Sequence, residues 1–134
     1  MKIKIATLRK IKSYVEGVNE AIVEKIEICK KRIQISMNEM NIADEYKTFL
    51  CSGRIAARAK KIQQKNEQRE SVLSIIEDLC FAIDAAEHNQ ADEIDFIHIA
   101  KIFTYAEGKD HKFISDLFEE VENFVDQQQP KGNR

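Results

Sequence analysis

Proline is almost missing from this chain: the single one is Pro130, close to the carboxyl end. Glycine is nearly as scarce, occurring only at Gly17, Gly53, Gly108 and Gly132. A turn-rich sheet needs such residues at its reversals, so their scarcity argues against sheet and favours uninterrupted helix. Tryptophan is absent, and the three cysteines, Cys29, Cys51 and Cys80, are isolated and odd in number. They lack the close spacings of a zinc site or a redox pair and read as small core residues in a reducing compartment. No uncharged apolar run comes near the ~20 residues that span a bilayer. Lys2, Lys4, Arg9, Lys10 and Lys12 interrupt any secretory apolar segment at the amino terminus. The expectation is a soluble, cytoplasmic protein without a membrane partner.

What the chain does contain is apolar residues in number and charge of both signs. With 134 residues, 43% of them hydrophobic, one domain with a real core is the default. The formal net charge of −2 conceals an asymmetry: residues 1–69 carry 16 Lys or Arg against 8 Asp or Glu, and residues 70–134 carry 5 against 15. Such a split points to internal pairing of the halves or to a charged partner.

Apolar residues recur at Leu8, Ile11, Val15, Val18, Ile22, Ile26, Cys29, Ile33, Met37 and Met40, an average step of about 3.56 residues, which is helical. Extended back to residue 3, this first helix would run to residue 40 and reach about 57 Å. That exceeds a compact domain, so the helix must protrude, bend at Gly17 with Asn19 capping a second segment, or meet a second chain. Val23, Ile28, Ile35 and Ile42 give it a second apolar edge and imply a second neighbour. Asn41 ends it, and Asp44 caps a second helix from Glu45 through Cys51, Ile55, Ala59 and Ile62. Gly53, with Ala56 and Ala57 after it, suits a close helix crossing.

Residues 63–71 contain no apolar side chain, which predicts a turn around 66–70, with one helix over 45–88 as the alternative. Val72, Ile76, Leu79 and Ile83 make the third helix the most hydrophobic, and Asn89 ends it. Asp92 caps a fourth helix carrying Phe96, Ile99, Phe103 and Ala106, closed by Gly108. A two-stranded element between residues 94–99 and the amino terminus is the second local choice, since three isoleucines and a phenylalanine fall within six residues. Asp110 caps a fifth helix with a wide apolar face, and residues 127–134 form a disordered tail. The fold expected is all-α: one domain over residues 1–126, a bundle of about five helices with a long, bendable first helix.

The sharpest candidate site is a basic stripe of Arg54, Arg58, Lys61, Lys65 and Arg69, spaced to share one helical face. Such a row can hold a phosphate backbone or an acidic protein. It can also be a solvated face, or be neutralised internally by Asp116, Glu119, Glu120 and Asp126. Asp84, Glu87, His88, Asp92, Asp95 and His98 contain an Asp-x-x-His step suited to a metal, but a bundle site needs inward acids from other helices, and the first helix offers apolar ones. No metal or other cofactor is expected. There is no nucleophile elbow and no phosphate loop. Cys51, with Arg54 nearby, reads as buried beside Leu50 and Ile55 rather than as a reactive thiol. The expectation is therefore a non-enzymatic adaptor, chaperone-like factor or regulator. It would hold a protein partner through the first helix or the stripe, with self-association as a further option. A nucleic-acid-associated protein using residues 54–69 is the alternative.

Overall fold

The computed structural model describes residues 1–42, 44–106 and 110–128. In chain order they form β1 (Lys2–Lys4), α1 (Ile5–Met40), α2 (Glu45–His88), β2 (Glu93–Asp95), α3 (Phe96–Tyr105) and α4 (His111–Gln128). Helix accounts for 87% of them, so the class is all-α, with four helices where about five were expected. The count differs because α2 is one helix of 44 residues and the turn at 66–70 does not exist. Residues 63–71 lack apolar side chains, but Gln, Lys, Glu and Arg are good helix formers. They also find polar partners of their own: the buried Gln68 accepts from Lys65 Nζ and donates to Asp110 of the α4 cap.

α1 and α2 form an antiparallel hairpin. Arg9 meets Glu87 near its base, and Arg58 reaches the Arg32 carbonyl and Ser36 higher up. The buried residues of α1 include Leu8, Val15, Ile22, Cys29 and Ser36, one every seven residues. Cys51, Val72, Leu79 and Ala86 of α2 are buried on an equivalent seven-residue row. This is the spacing of helices that coil around each other, so the seam stays closed over many turns. It also corrects one expected core position: Met37 is half exposed, and Ser36 takes its place on the seam. A seven-residue repeat runs slightly under two ideal helical turns, and by this height the seam has moved one residue back from the stripe.

α1 passes through Gly17 without interruption, so Asn19 caps nothing. Nor does the length of α1 require a second chain along its main stripe, because α2 returns beside it. Asn41 does end α1, and Asp44 caps α2, accepting from Lys47 N at 2.8 Å. At the other end of α2, Ala91 N donates to Ala86 O and Gln90 N to Glu87 O around the positive φ of Gln90, a motif that satisfies the last carbonyls.

The amino terminus is a strand rather than the first turn of α1. β1 pairs antiparallel with β2 in the register Lys2 with Asp95, Ile3 with Ile94 and Lys4 with Glu93. Each charged pair has opposite signs and Ile3 points into the core, which is why alternation overrides the helical stripe over residues 2–4. Ile5 N donates to Asp92 O and Phe96 N to Met1 O, closing both ends of the ladder. Because β2 occupies residues 93–95, the α3 cap moves from Asp92 to Asp95, whose side chain accepts from Ile97 N at 3.1 Å. That amide bond holds the Asp95 carboxyl below its usual pKa.

α3 and α4 lie on the half of the hairpin that contains the start of α1 and the end of α2. Ile99 and Phe103 of α3 and Ile114, Leu117, Val121 and Val125 of α4 join Leu8, Ile11, Val15, Leu79 and Ile83 in one core. Phe118 ties the two short helices together, with ring centroids 5.9 Å from Phe96 and 5.2 Å from Phe103. Asp110 caps α4 as expected, accepting from Phe113 N. Of the tail, Gln127 and Gln128 extend α4 because they continue its backbone ladder; residues 129–134 lie outside the described residues, as does Gly108.

Neither Gly17 nor Gly53 is there for space: a Cβ on either would meet nothing within 4 Å. The close crossing expected at Gly53 is absent. Gly17→Ala and Gly53→Ala should each stabilise the fold by about 0.5–1 kcal/mol through helix propensity. A lower melting midpoint for either variant would contradict this packing.

Candidate interaction surface

The core ends part-way along the hairpin. Its outermost members on α1 and α2 are Ile26 and Ile62, and α4 begins beside Gln68, so among the described residues α1 and α2 pack only on each other beyond this level. About 14 residues of α1 project in this way, an arm of roughly 21 Å. It is closed inside by Cys29, Ser36 and Cys51. Its tip is apolar outside: Ile42 is 91% exposed, Tyr46 72% and Phe49 74%.

The second apolar edge of α1 is real, and most of it is exposed. Ile28, Ile35 and Ile42 stand seven residues apart and are all exposed. Beside them, between the arm helices, a hollow of about 250 Å³ is lined by Arg32, Ile35, Ser36, Glu39, Arg54 and Arg58. A wider one of about 540 Å³ opens over Phe49, Leu50, Gly53, Ala56 and Ala57.

The basic stripe divides. Arg58 and Lys65 fall on the seven-residue row of Cys51, Val72, Leu79 and Ala86 and are half-buried between the helices. Arg58 Nη1 donates to Ser36 Oγ at 3.1 Å and to Arg32 O at 3.2 Å. Burial, with Lys25 and Lys61 nearby, lowers the Lys65 pKa. Arg54, Lys61 and Arg69 face outward, Arg54 with its guanidinium 4.0 Å from Glu39. The stripe therefore meets α1 rather than the acids of α4, except at Lys65, which shares a hollow with Asp116 and Glu120. Spacing along one helix could not reveal this, because it identifies a shared face without saying how far that face is rotated toward a neighbour.

The division has a measurable consequence. Arg58→Glu would set a carboxylate against the Arg32 carbonyl and near Glu39, and should cost about 2–4 kcal/mol. Lys61→Glu, on the exposed side, should stay within about 0.5 kcal/mol of the parent. Equal melting midpoints for the two variants would show that the stripe is not divided.

Glu87 pairs with Arg9, Asp95 caps α3, and among the described residues no group of three His, Cys, Asp or Glu side chains is placed to hold a metal ion. Cys51 is fully buried and its thiol donates to Glu39 Oε2 at 3.7 Å. Tyr14 donates to Glu120 and joins α1 to α4; that bond, with burial and the adjacent carboxylate, pushes its pKa up to about 12. No helix among the described residues is long and apolar enough to cross a membrane. The chain matches no protein-family model, and no curated protein or solved structure matches it.

Proposed function

We propose that residues 1–126 act as one non-enzymatic interaction domain of the cytoplasm, an adaptor or regulator that holds a protein partner through the hairpin arm. The observation that carries this reading is the arm itself. A two-helix projection exposes Ile35 and, at its tip, Ile42, Tyr46 and Phe49; the base packs one core and leaves Leu73, Phe81, Ile97 and Tyr105 exposed on its own surface. Contiguous exposed apolar surface of this kind is costly to maintain in water and commonly marks a contact site. The three free cysteines, two of them buried, suit a reducing compartment. Within the stripe, Arg54, Lys61 and Arg69 are the members positioned for a partner, and Arg58 and Lys65 hold the arm and α4 in place.

The alternative is a nucleic-acid contact through the outward cations, favoured by Lys60 and Lys61 standing exposed on the arm. Capture from native lysate with the parent chain and with Ile42→Ser/Phe49→Ser separates the readings. The variant should keep its helical spectrum and lose a captured protein. If capture is unchanged, and depends instead on nucleic acid and falls steeply with salt, the phosphate reading replaces this one.

A further inference from the structure

α4 occupies only part of a groove. On α1 the residues Tyr14, Ala21, Ile28 and Ile35 form one seven-residue row, each immediately before a buried seam residue, and Ile42 follows seven residues on, in the turn that leaves α1. A helix that follows a seven-residue seam keeps such a row on one side along its whole length. At the base, α4 runs along this side: Glu120 accepts from Tyr14, which is itself partly exposed, and Ala21 lines a hollow against Phe113, Asp116 and Leu117. α4 starts at the level of Gln68, and past that point the row continues as Ile28, Ile35 and then Ile42, all exposed, with no other described element packed over it. The open stretch beside Ile35 is the hollow edged by Arg32, Arg54 and Arg58.

Charge indicates what fits there. Residues 28–62 carry eight Lys or Arg and three Asp or Glu. α4, the helix already seated on this side, carries five Asp or Glu and one Lys, two of the acids, Asp116 and Glu120, sharing a hollow with Lys25 and Lys65. Resting on the reading of the arm as a protein-binding site, we infer that the arm groove receives an acidic amphipathic helix of a partner protein, laid end to end with α4. Its apolar residues would sit on Ile28, Ile35 and Ile42, and its acids would face Arg54 and Lys61. A second copy of this chain is disfavoured as an arm-to-arm occupant, because it would bring two basic surfaces together.

The probe is a labelled peptide of residues 110–128, an acidic helix whose sequence already matches the lower groove, titrated against the full chain by fluorescence anisotropy. Saturable binding in the micromolar range is expected, with Ile35→Glu and Ile42→Glu each weakening it about 10-fold or more. Arg54→Glu/Lys61→Glu should weaken it as well, and a peptide with its acids replaced by lysine should not bind. Both isoleucines are exposed, so these variants should keep the parent helical spectrum. Binding that survives Ile35→Glu and Ile42→Glu would mean that the peptide replaces the native α4, and would overturn the inference. So would absence of binding up to about 1 mM. If the arm variants still lose a partner in the lysate capture, the arm reading stands without the acidic helix; if they lose none, both fall. A concentration-dependent dimer abolished by Ile35→Glu would assign the groove to a second copy and overturn the inference too.

Discussion

Phe103→Ala should remove about 3–5 kcal/mol of stability, the largest loss expected from any single truncation in this chain. Phe103 is 2% exposed, and its ring rests 5.2 Å from that of Phe118, which also stacks on Phe96. The truncation leaves a cavity where α3 meets α4 and the hairpin, and the aromatic contact itself accounts for about 0.5–1.5 kcal/mol of the loss. Against a total of about 5–15 kcal/mol for a domain, this is about a fifth or more of what holds the fold. Urea unfolding followed by helical ellipticity should show a lower midpoint with an unchanged slope. A loss below about 1 kcal/mol would mean that α3 is not seated on α4 as described.

Asp110→Ala should cost about 2–4 kcal/mol. It removes the cap of α4, worth about 1 kcal/mol, and strands the buried amide of Gln68, worth about 1–3 kcal/mol. Adding Gln68→Leu should recover part of the loss, because no amide is then left without a partner; the two sites should couple by more than about 0.5 kcal/mol. Strict additivity would show that the clamp does not operate. The same clamp has a pH signature. The hydrogen bond from Gln68, then the Phe113 amide, hold the Asp110 carboxyl below its ordinary value, outweighing the effect of burial. A depressed folded pKa contributes stability above the unfolded pKa and loses it as pH falls through the folded one. The parent should therefore lose stability in that acid window faster than Asp110→Asn, which has no carboxyl to protonate there.

Much of this architecture can be read from particular residues. The stripe beginning at Leu8 specifies α1, Asn41 and Asp44 mark the reversal, Asn89 ends α2, and Asp110 caps α4, because each feature is set within one or two turns of backbone. The apolar edge of Ile28, Ile35 and Ile42 is equally legible as an edge. What it faces is not, since that depends on where α4 stops. Residues 63–71 show the limit of reading apolar spacing alone: without an apolar side chain they look like a loop, yet their helix-forming Gln, Lys, Glu and Arg carry α2 through, with Gln68 bonded to Asp110, 42 residues away. The amino terminus failed in the same manner, its alternation settled by pairing with residues 93–95.

By itself the sequence determined the helical class, the caps at Asp44 and Asp110, the stripes and the opposite charge of the two halves, all of which follow from intrinsic propensity and spacing along the chain. Tertiary structure decided the rest. It made α2 a single helix, turned Arg58 and Lys65 inward while Arg54, Lys61 and Arg69 stayed outside, put Ser36 in place of Met37 on the seam, and left Ile35, Ile42, Tyr46 and Phe49 of the arm exposed. These depend on the rotation and height of one helix against another, and those are set by contacts between residues far apart in sequence, to which periodicity within a single helix carries no information.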